Sequence, residues 1–204
     1  MVASRVVLWR HGQTDYNASF RLQGQVDIPL NATGRAQAER AAHRVAEFNP
    51  SVIVASDLVR AADTAWAAAH LLDMDVATDA RLRERHFGVW EGLHADEIAE
   101  GWPEAAAAWK RGEHPEGIGA ERRAEVGQRF AAGVEAHAGL MPDGSTLLVA
   151  AHGACIAVGI TTLLGLDADD WAGIRGLGNC HWSILESSPR EPRWRLDAHN
   201  VGVA

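Results

Sequence analysis

Cysteine is scarce: Cys155 and Cys180 are the only two in 204 residues, each inside an apolar segment and neither in a C-x-x-C or Cys/His ligand pattern. A disulfide framework and a cysteine-based metal site therefore lack support, and two buried, reduced thiols are expected. Positive charge is in deficit, with 19 Lys and Arg against 27 Asp and Glu and a net charge of -8. Such a chain carries no electrostatic footprint for nucleic acid or an anionic membrane surface, so an anionic ligand must be held by a local basic pocket. No run approaches the ~20 apolar residues of a membrane span, and Met1 to Arg10 meets a charge before an apolar stretch of signal-peptide length. The cytoplasm is the expected compartment. G-x-G-x-x-G and G-K-[ST] phosphate loops are missing, as is H-E-x-x-H. Neither a nucleotide cofactor nor a metal is expected.

What is present is ordinary globular material, 47% hydrophobic and 23% charged, in a chain long enough to bury roughly 70% of its unfolded surface. No Pro/Gly/Ser linker or long repeat divides it, so residues 1–204 read as one domain. Residues 5–9, 51–55 and 146–151 are short, nearly continuous apolar runs, as strands covered on both faces require. Helical spacing places Ala38, Ala41, Val45 and Phe48 on one face of 33–48, and further helices are expected at 58–72, 121–139 and 154–164. Two late strands are expected at 181–186 and 193–198. The alternation predicts an α/β fold, a three-layer α/β/α sandwich with a mostly parallel central sheet. Residues 173–179 read as a loop, His43, His70, His94, His114 and His137 as solvated, and Trp90, Trp171, Trp182 and Trp194 as core or interface residues.

Val6-Val7-Leu8-Trp9-Arg10-His11-Gly12 and Leu147-Leu148-Val149-Ala150-Ala151-His152-Gly153 are alike, each a buried strand ending in His-Gly. Ligands of open parallel sheets bind beyond the carboxyl ends of the strands, where helix N-termini also point free N–H groups. Both histidines are then expected at one edge of the sheet. The first begins Arg10-His11-Gly12-Gln13-Thr14-Asp15-Tyr16-Asn17; Ser56 to Ala65, with Arg60, and Leu82-Arg83-Glu84-Arg85-His86-Phe87-Gly88-Val89-Trp90-Glu91-Gly92 precede the second. In order and content these motifs resemble the histidine phosphatase, or phosphoglycerate mutase-like, superfamily.

The resemblance implies a metal-independent phosphoryl transfer in which His11 becomes the phosphohistidine. Arg10 and Arg60 would clamp the phosphoryl oxygens, as planar forks that lysine cannot imitate. His152 would donate to a phosphoryl oxygen, with Gly153 beside it, and Asn17 would add a neutral donor. Glu84 would protonate the leaving oxygen and later activate water. Local sequence alone also allows Glu84 to be a surface carboxylate paired with Arg83 or Arg85. Gln23 and Gly24 resemble the family's substrate-side loop, although a generic turn reads equally well.

The Phe87-Gly88-Val89-Trp90-Glu91-Gly92 form of the acid motif resembles the phosphatase branch, and residues 93–120 hold only Lys110 and Arg111 as cations, without the Arg-rich, Pro-rich insertion of the mutases. Glu84-Arg85-His86 echoes those mutases, so a cofactor-dependent phosphoglycerate mutase is the alternative. Among phosphatases, the likeness is greatest to the actinobacterial glucosyl-3-phosphoglycerate phosphatases, and extends to Gly176–Trp182 and Arg193–Asn200; by it Leu196 would approach the substrate pocket. One departure stands out: the family's G-E-S reads Gly119-Ala120-Glu121-Arg122 here, which puts the local pocket wall in question. A non-catalytic phospholigand sensor would need the cations but not His11 or Glu84. The implied partner is a phosphorylated small molecule; nucleic acid and membrane are not expected, and a homodimer is left open.

Overall fold

A computed structural model describes residues 2–203. The strands are β1 (Arg5–Arg10), β2 (Val52–Ala55), β3 (Val76–Thr78), β4 (Thr146–Ala151), β5 (Trp182–Ser187) and β6 (Trp194–Val201). They form one sheet in the order β3-β2-β4-β1-β5-β6. The β3, β2, β4 and β1 strands are mutually parallel, whereas β5 pairs antiparallel with β1 and with β6. The helices are α1 (Asp15–Ala18), α2 (Ala32–Ala46), α3 (Val59–Leu72), α4 (Ala95–Gly101), α5 (Pro103–Lys110), α6 (Arg123–Ala138) and α7 (Gly153–Leu163). The expected α/β sandwich and mostly parallel sheet are what forms.

The continuous apolar runs serve two cores at once. Val6, Leu8, Leu147 and Val149 face one cluster with Val126, Phe130 and Ile156 of α6 and α7. Val7, Trp9, Leu148 and Ala150 face another, with Ala38, Ala41, Val45 and Ala65 of α2 and α3. Alternate side chains on a strand point to opposite faces, so a strand covered on both sides must be apolar throughout. Small alanines on α2 and α3 let those helices lie close to the sheet.

A third, smaller cluster of Phe87, Trp90, Ile98, Ala106 and Ile118 holds α4 and α5 against the segment that follows Glu84. No element was expected in this stretch from the sequence. Its helices are only 7 and 8 residues long, too short for a clear period, and Pro103 opens the second at its first turn. The three-residue edge strand β3 was also missed, and β6 reaches Val201 rather than stopping near 198. Both cysteines are buried free thiols. Trp90, Trp182 and Trp194 are core residues, but Trp171 is 37% exposed. His114 and His137 are less solvated than expected, His137 lying 3.0 Å from Asp79. Among the described residues, no helix is long and apolar enough to cross a membrane.

Candidate active site

The register pairs Arg10 of β1 with Ala151 of β4, so His11 and His152 leave neighbouring strands at the same edge. Their ring centroids are 5.1 Å apart at an interplanar angle of 62°. Both rings are buried. Burial, reinforced by Arg60 and then by other nearby groups including Arg10, pushes both imidazoles well below their ordinary pKa, which keeps them neutral.

Their tautomers follow from their partners. His11 Nδ1 lies 2.6 Å from the carbonyl oxygen of Gly12, a contact in which only the ring can donate, so its proton sits on Nδ1 and Nε2 carries the free lone pair. The main chain around it is pinned as well: Thr64 Oγ1 accepts from the Gly12 N–H at 3.1 Å, and Asn179 Nδ2 donates to the His11 carbonyl at 3.1 Å. A side chain at Gly12 would place its Cβ 2.3 Å from the Gly34 carbonyl oxygen, so this close approach admits only glycine. His152 is the opposite tautomer. Its Nδ1 accepts from Arg60 Nε at 3.1 Å, which leaves the proton on Nε2, buried and without a partner among the described residues.

Arg60 is fully buried at the start of α3. It donates through Nη1 to the Val26 carbonyl at 2.9 Å and through Nη2 to the Gly24 carbonyl at 2.8 Å. With Nε on His152, three of its five N–H groups position the fork and two remain for a ligand. Arg10 is held through Nη1 by the Leu177 carbonyl, while its Nε is buried and unpartnered. Gly153 has no side chain to crowd that group: a Cβ there would lie 3.3 Å from Arg10 Nε. Burial lowers both guanidinium pKa values, Arg10 and Arg60 alike. Buried, unpartnered donors are costly; Arg10 Nε, on the residue before His11, and His152 Nε2, on the ring 5.1 Å from that of His11, are two such donors that an anion's oxygens would satisfy.

Glu84 faces three donors. Oε1 accepts from the N–H groups of Arg85 and Cys155, both at 2.8 Å, and Oε2 from that of Ala154 at 3.0 Å. Two of these belong to the N-terminus of α7, where negative charge is favoured. The surface ion pair does not form: Arg83 binds Asp57 bidentately at 2.8 and 2.6 Å, and Arg85 Nε donates to the Glu121 carbonyl at 2.8 Å.

Asn17 closes a reciprocal cap on α1 with Thr14. Its Oδ1 accepts from Thr14 N–H at 3.2 Å and from Asn179 Nδ2 at 3.1 Å, so its amide N–H groups are the ones left for the cleft. Gln23 is buried and accepts from the Thr14 hydroxyl at 2.8 Å, and Gly24 has a left-handed φ of 54° against the Glu91 side chain. Leu196 is not brought to this edge. It pairs with Leu185 on the outer strand β6, and Leu185 pairs with Val6; it is thus two strands away from β1 and level with Val6 rather than His11. The expectation for Leu196 came from family resemblance alone, and the pairing of β6 on β5 sets its place along the sheet.

Three supporting residues escaped sequence reasoning. Thr64 and Asn179 fix the His11 backbone. Arg129 uses its whole guanidinium to tie down the acid loop, donating to the carbonyls of Arg81, Arg83 and Glu84 at 2.9, 2.7 and 2.9 Å and bidentately to Glu121. The only signal for Arg129 was its position eight residues after Glu121, about two helical turns. The departure beside Glu121 leaves that pair intact, because Arg122 turns outward to Asp169 and Glu116.

A neutral, tautomer-locked imidazole in the company of two buried arginines and a carboxylate is the equipment of a phosphoryl-transfer site. Residues 6–201 match the model of the histidine phosphatase superfamily, branch 1, and the chain belongs to that family. Over its full length it is 38% identical to a glucosyl-3-phosphoglycerate phosphatase of Mycolicibacterium vanbaalenii, covering 97% of that relative. It is also 38% identical, over 98% of the chain and 92% of the relative, to a Shigella boydii protein named "Probable phosphoglycerate mutase GpmB". Among solved structures, a mycobacterial glucosyl-3-phosphoglycerate phosphatase in complex with VO3 superimposes with a TM-score of 0.88 at 38% identity, over 98% of this chain and 100% of that one.

Proposed function

We propose that the protein is a cytoplasmic phosphomonoesterase that dephosphorylates glucosyl-3-phosphoglycerate, or a closely related phosphoglycerate ester, through a phosphohistidine on His11. The observation that carries this reading is the Nδ1 contact of His11 with the Gly12 carbonyl, because it leaves Nε2 as the nucleophile. In the first step Nε2 forms a bond to phosphorus as the bond to the ester oxygen breaks. The leaving oxygen keeps that electron pair and takes a proton from Glu84. In the second step water attacks phosphorus and gives a proton to Glu84, while the electron pair of the P–N bond returns to Nε2. Arg10, Arg60 and His152 Nε2 bind the phosphoryl oxygens as their charge grows, which is where fixed donors are most effective.

The substrate class has its own support. Beyond Glu84 lies a cavity of about 240 Å³ whose lining includes Arg85, Phe87, Trp109, Arg123 and Ala154. Two guanidinium groups in this lining, whose one carboxylate, Glu113, is already paired with Arg111, suit a glycerate carboxylate. The mutase alternative rests on the Glu84-Arg85-His86 run and the mutase-named relative. Against it, Arg111, one of the two cations between residues 93 and 120, is paired with Glu113 on the surface. Two buried free thiols suit a reducing compartment.

The test is a turnover screen in EDTA over glucosyl-3-phosphoglycerate, 3-phosphoglycerate, sugar phosphates and nucleotides, with rapid-quench trapping. Acid-labile, base-stable phosphate is expected on the wild type and absent from His11→Ala, which should be inactive but folded. Label on serine or aspartate, or activity retained without His11, would sink the covalent mechanism. Conversion of 3-phosphoglycerate to its 2-phospho isomer faster than phosphate release would favour the mutase.

A further inference from the structure

Phe20 is 87% exposed and adopts φ 58°. It stands just beyond the end of α1, where its N–H donates to the Asn17 carbonyl at 3.2 Å. Left-handed residues are frequent after helix ends, but glycine or asparagine normally fills them; a bulky side chain there is strained. The fold therefore accepts an unfavourable backbone for an aromatic ring that it does not bury. Strain kept by an exposed aromatic at the rim of a site is better explained by a ligand than by packing.

The ring lines a cleft of about 340 Å³ together with Arg10, Asn17, Asn179, Leu22 and Trp109. The other cation at this rim, Arg21, is occupied by the Gly92 carbonyl at 2.6 Å and by Glu97. Apolar and aromatic side chains share this cleft with the amides of Asn17 and Asn179, a lining for an uncharged ring that has a C–H face and a rim of hydroxyls. We infer that Phe20 is a specificity-determining residue, the stacking face for the glucosyl ring of the substrate. The inference rests on the phosphatase reading above and adds to it the residue that distinguishes the glucosylated ester from free 3-phosphoglycerate.

The experiment compares steady-state kinetics on these two esters, which share the phosphoryl group and glycerate and differ by the sugar. Phe20→Asn suits the left-handed backbone, and so should fold with an unchanged or higher Tm; Phe20→Tyr keeps the ring. KM for the glucosylated ester should rise about tenfold in Phe20→Asn and stay near wild type in Phe20→Tyr. KM for 3-phosphoglycerate and kcat for both should move by less than about twofold. Equal effects on the two esters, no effect on either, or a fall in Tm of several degrees would overturn the inference while leaving the phosphatase reading standing. So would a change of oligomeric state in Phe20→Asn by light scattering, which would make the ring a contact between copies. Wild-type enzyme that hydrolyses neither ester would instead overturn the substrate reading, and the role of Phe20 with it.

Discussion

Arg60 Nε stands 3.1 Å from His152 Nδ1, and since arginine can only donate, this one contact sets the tautomer of His152. The imidazole must accept at Nδ1 and hold its proton on Nε2, toward the phosphoryl position. In the proposed mechanism Arg60 thus acts twice, through its own free N–H groups and through the tautomer of its neighbour.

Arg60→Lys should therefore be far from conservative. A lysine brings a point charge but neither the Nε donor nor the fork, and leaves the Gly24 and Val26 carbonyls with less than they had. Transition-state stabilisation should fall by roughly 2–4 kcal/mol, the range for loss of one preorganised donor. Nitrogen NMR of labelled histidine should show His152 losing its single tautomer in the same variant. Unchanged kcat/KM would remove Arg60 from the site.

The two buried histidines also predict the acid limb of stability. Their native pKa values are depressed well below 6.5, chiefly by burial, while in the unfolded chain they titrate at the ordinary value. Below pH ~6.5 the unfolded state then binds protons that the native state does not, so stability falls as pH drops from there. Asp79, drawn down to about 2 chiefly by its Arg81 hydrogen bond, adds a loss only below its unfolded value near 4. Urea unfolding of the wild type at pH 8 and pH 5 should show this loss, and His152→Gln should show less of it. Equal pH dependence in the two proteins would mean that His152 is not held neutral by the fold.

Much of this was legible because the chemistry demands uncommon residues at strand ends. Two His-Gly pairs after apolar runs placed both imidazoles at one edge of the sheet, and the register of β1 on β4 puts them there. Arg60 and Glu84 were found only through family likeness, since an arginine in an alanine-rich helix and a glutamate among arginines have no local signature. Arg129, Thr64 and Asn179 act through backbone atoms of distant segments, and no periodicity or spacing records such contacts. Leu196 failed for the same reason in reverse, its place along the sheet being set by the pairing of β6 on β5.

Arg129 should be a positioning residue for the acid step. It binds the Glu84 carbonyl and, with Glu121, the backbone on either side. Arg129→Met should lower kcat at least tenfold on alkyl phosphates and much less on aryl phosphates, whose leaving group needs no proton. Arg129→Lys, with one cation for the same carbonyls, should recover part of the difference. A purely structural role would lower Tm and depress both ester classes alike.

The sharpest test concerns Glu84 itself. Its two oxygens accept three backbone N–H groups, and this fixes the carboxyl group against the start of α7 whatever its chemical task. Glu84→Gln keeps one accepting oxygen but turns an amide N–H₂ toward a backbone donor, so some loss of order is expected in any case. That loss should be common to all substrates; the loss of a proton donor should not. In single-turnover phosphorylation of His11, esters of sugars and glycerate should slow by about 10²–10⁴, the usual contribution of a general acid. Aryl phosphates, whose phenolates depart unprotonated, should slow by no more than about tenfold. Steady-state rates would blur this contrast, because in the proposed mechanism Glu84 also activates water in the second step. Equal losses for both classes in the first step would reduce Glu84 to an anchor for α7 and leave the leaving group without a donor among the residues at this edge.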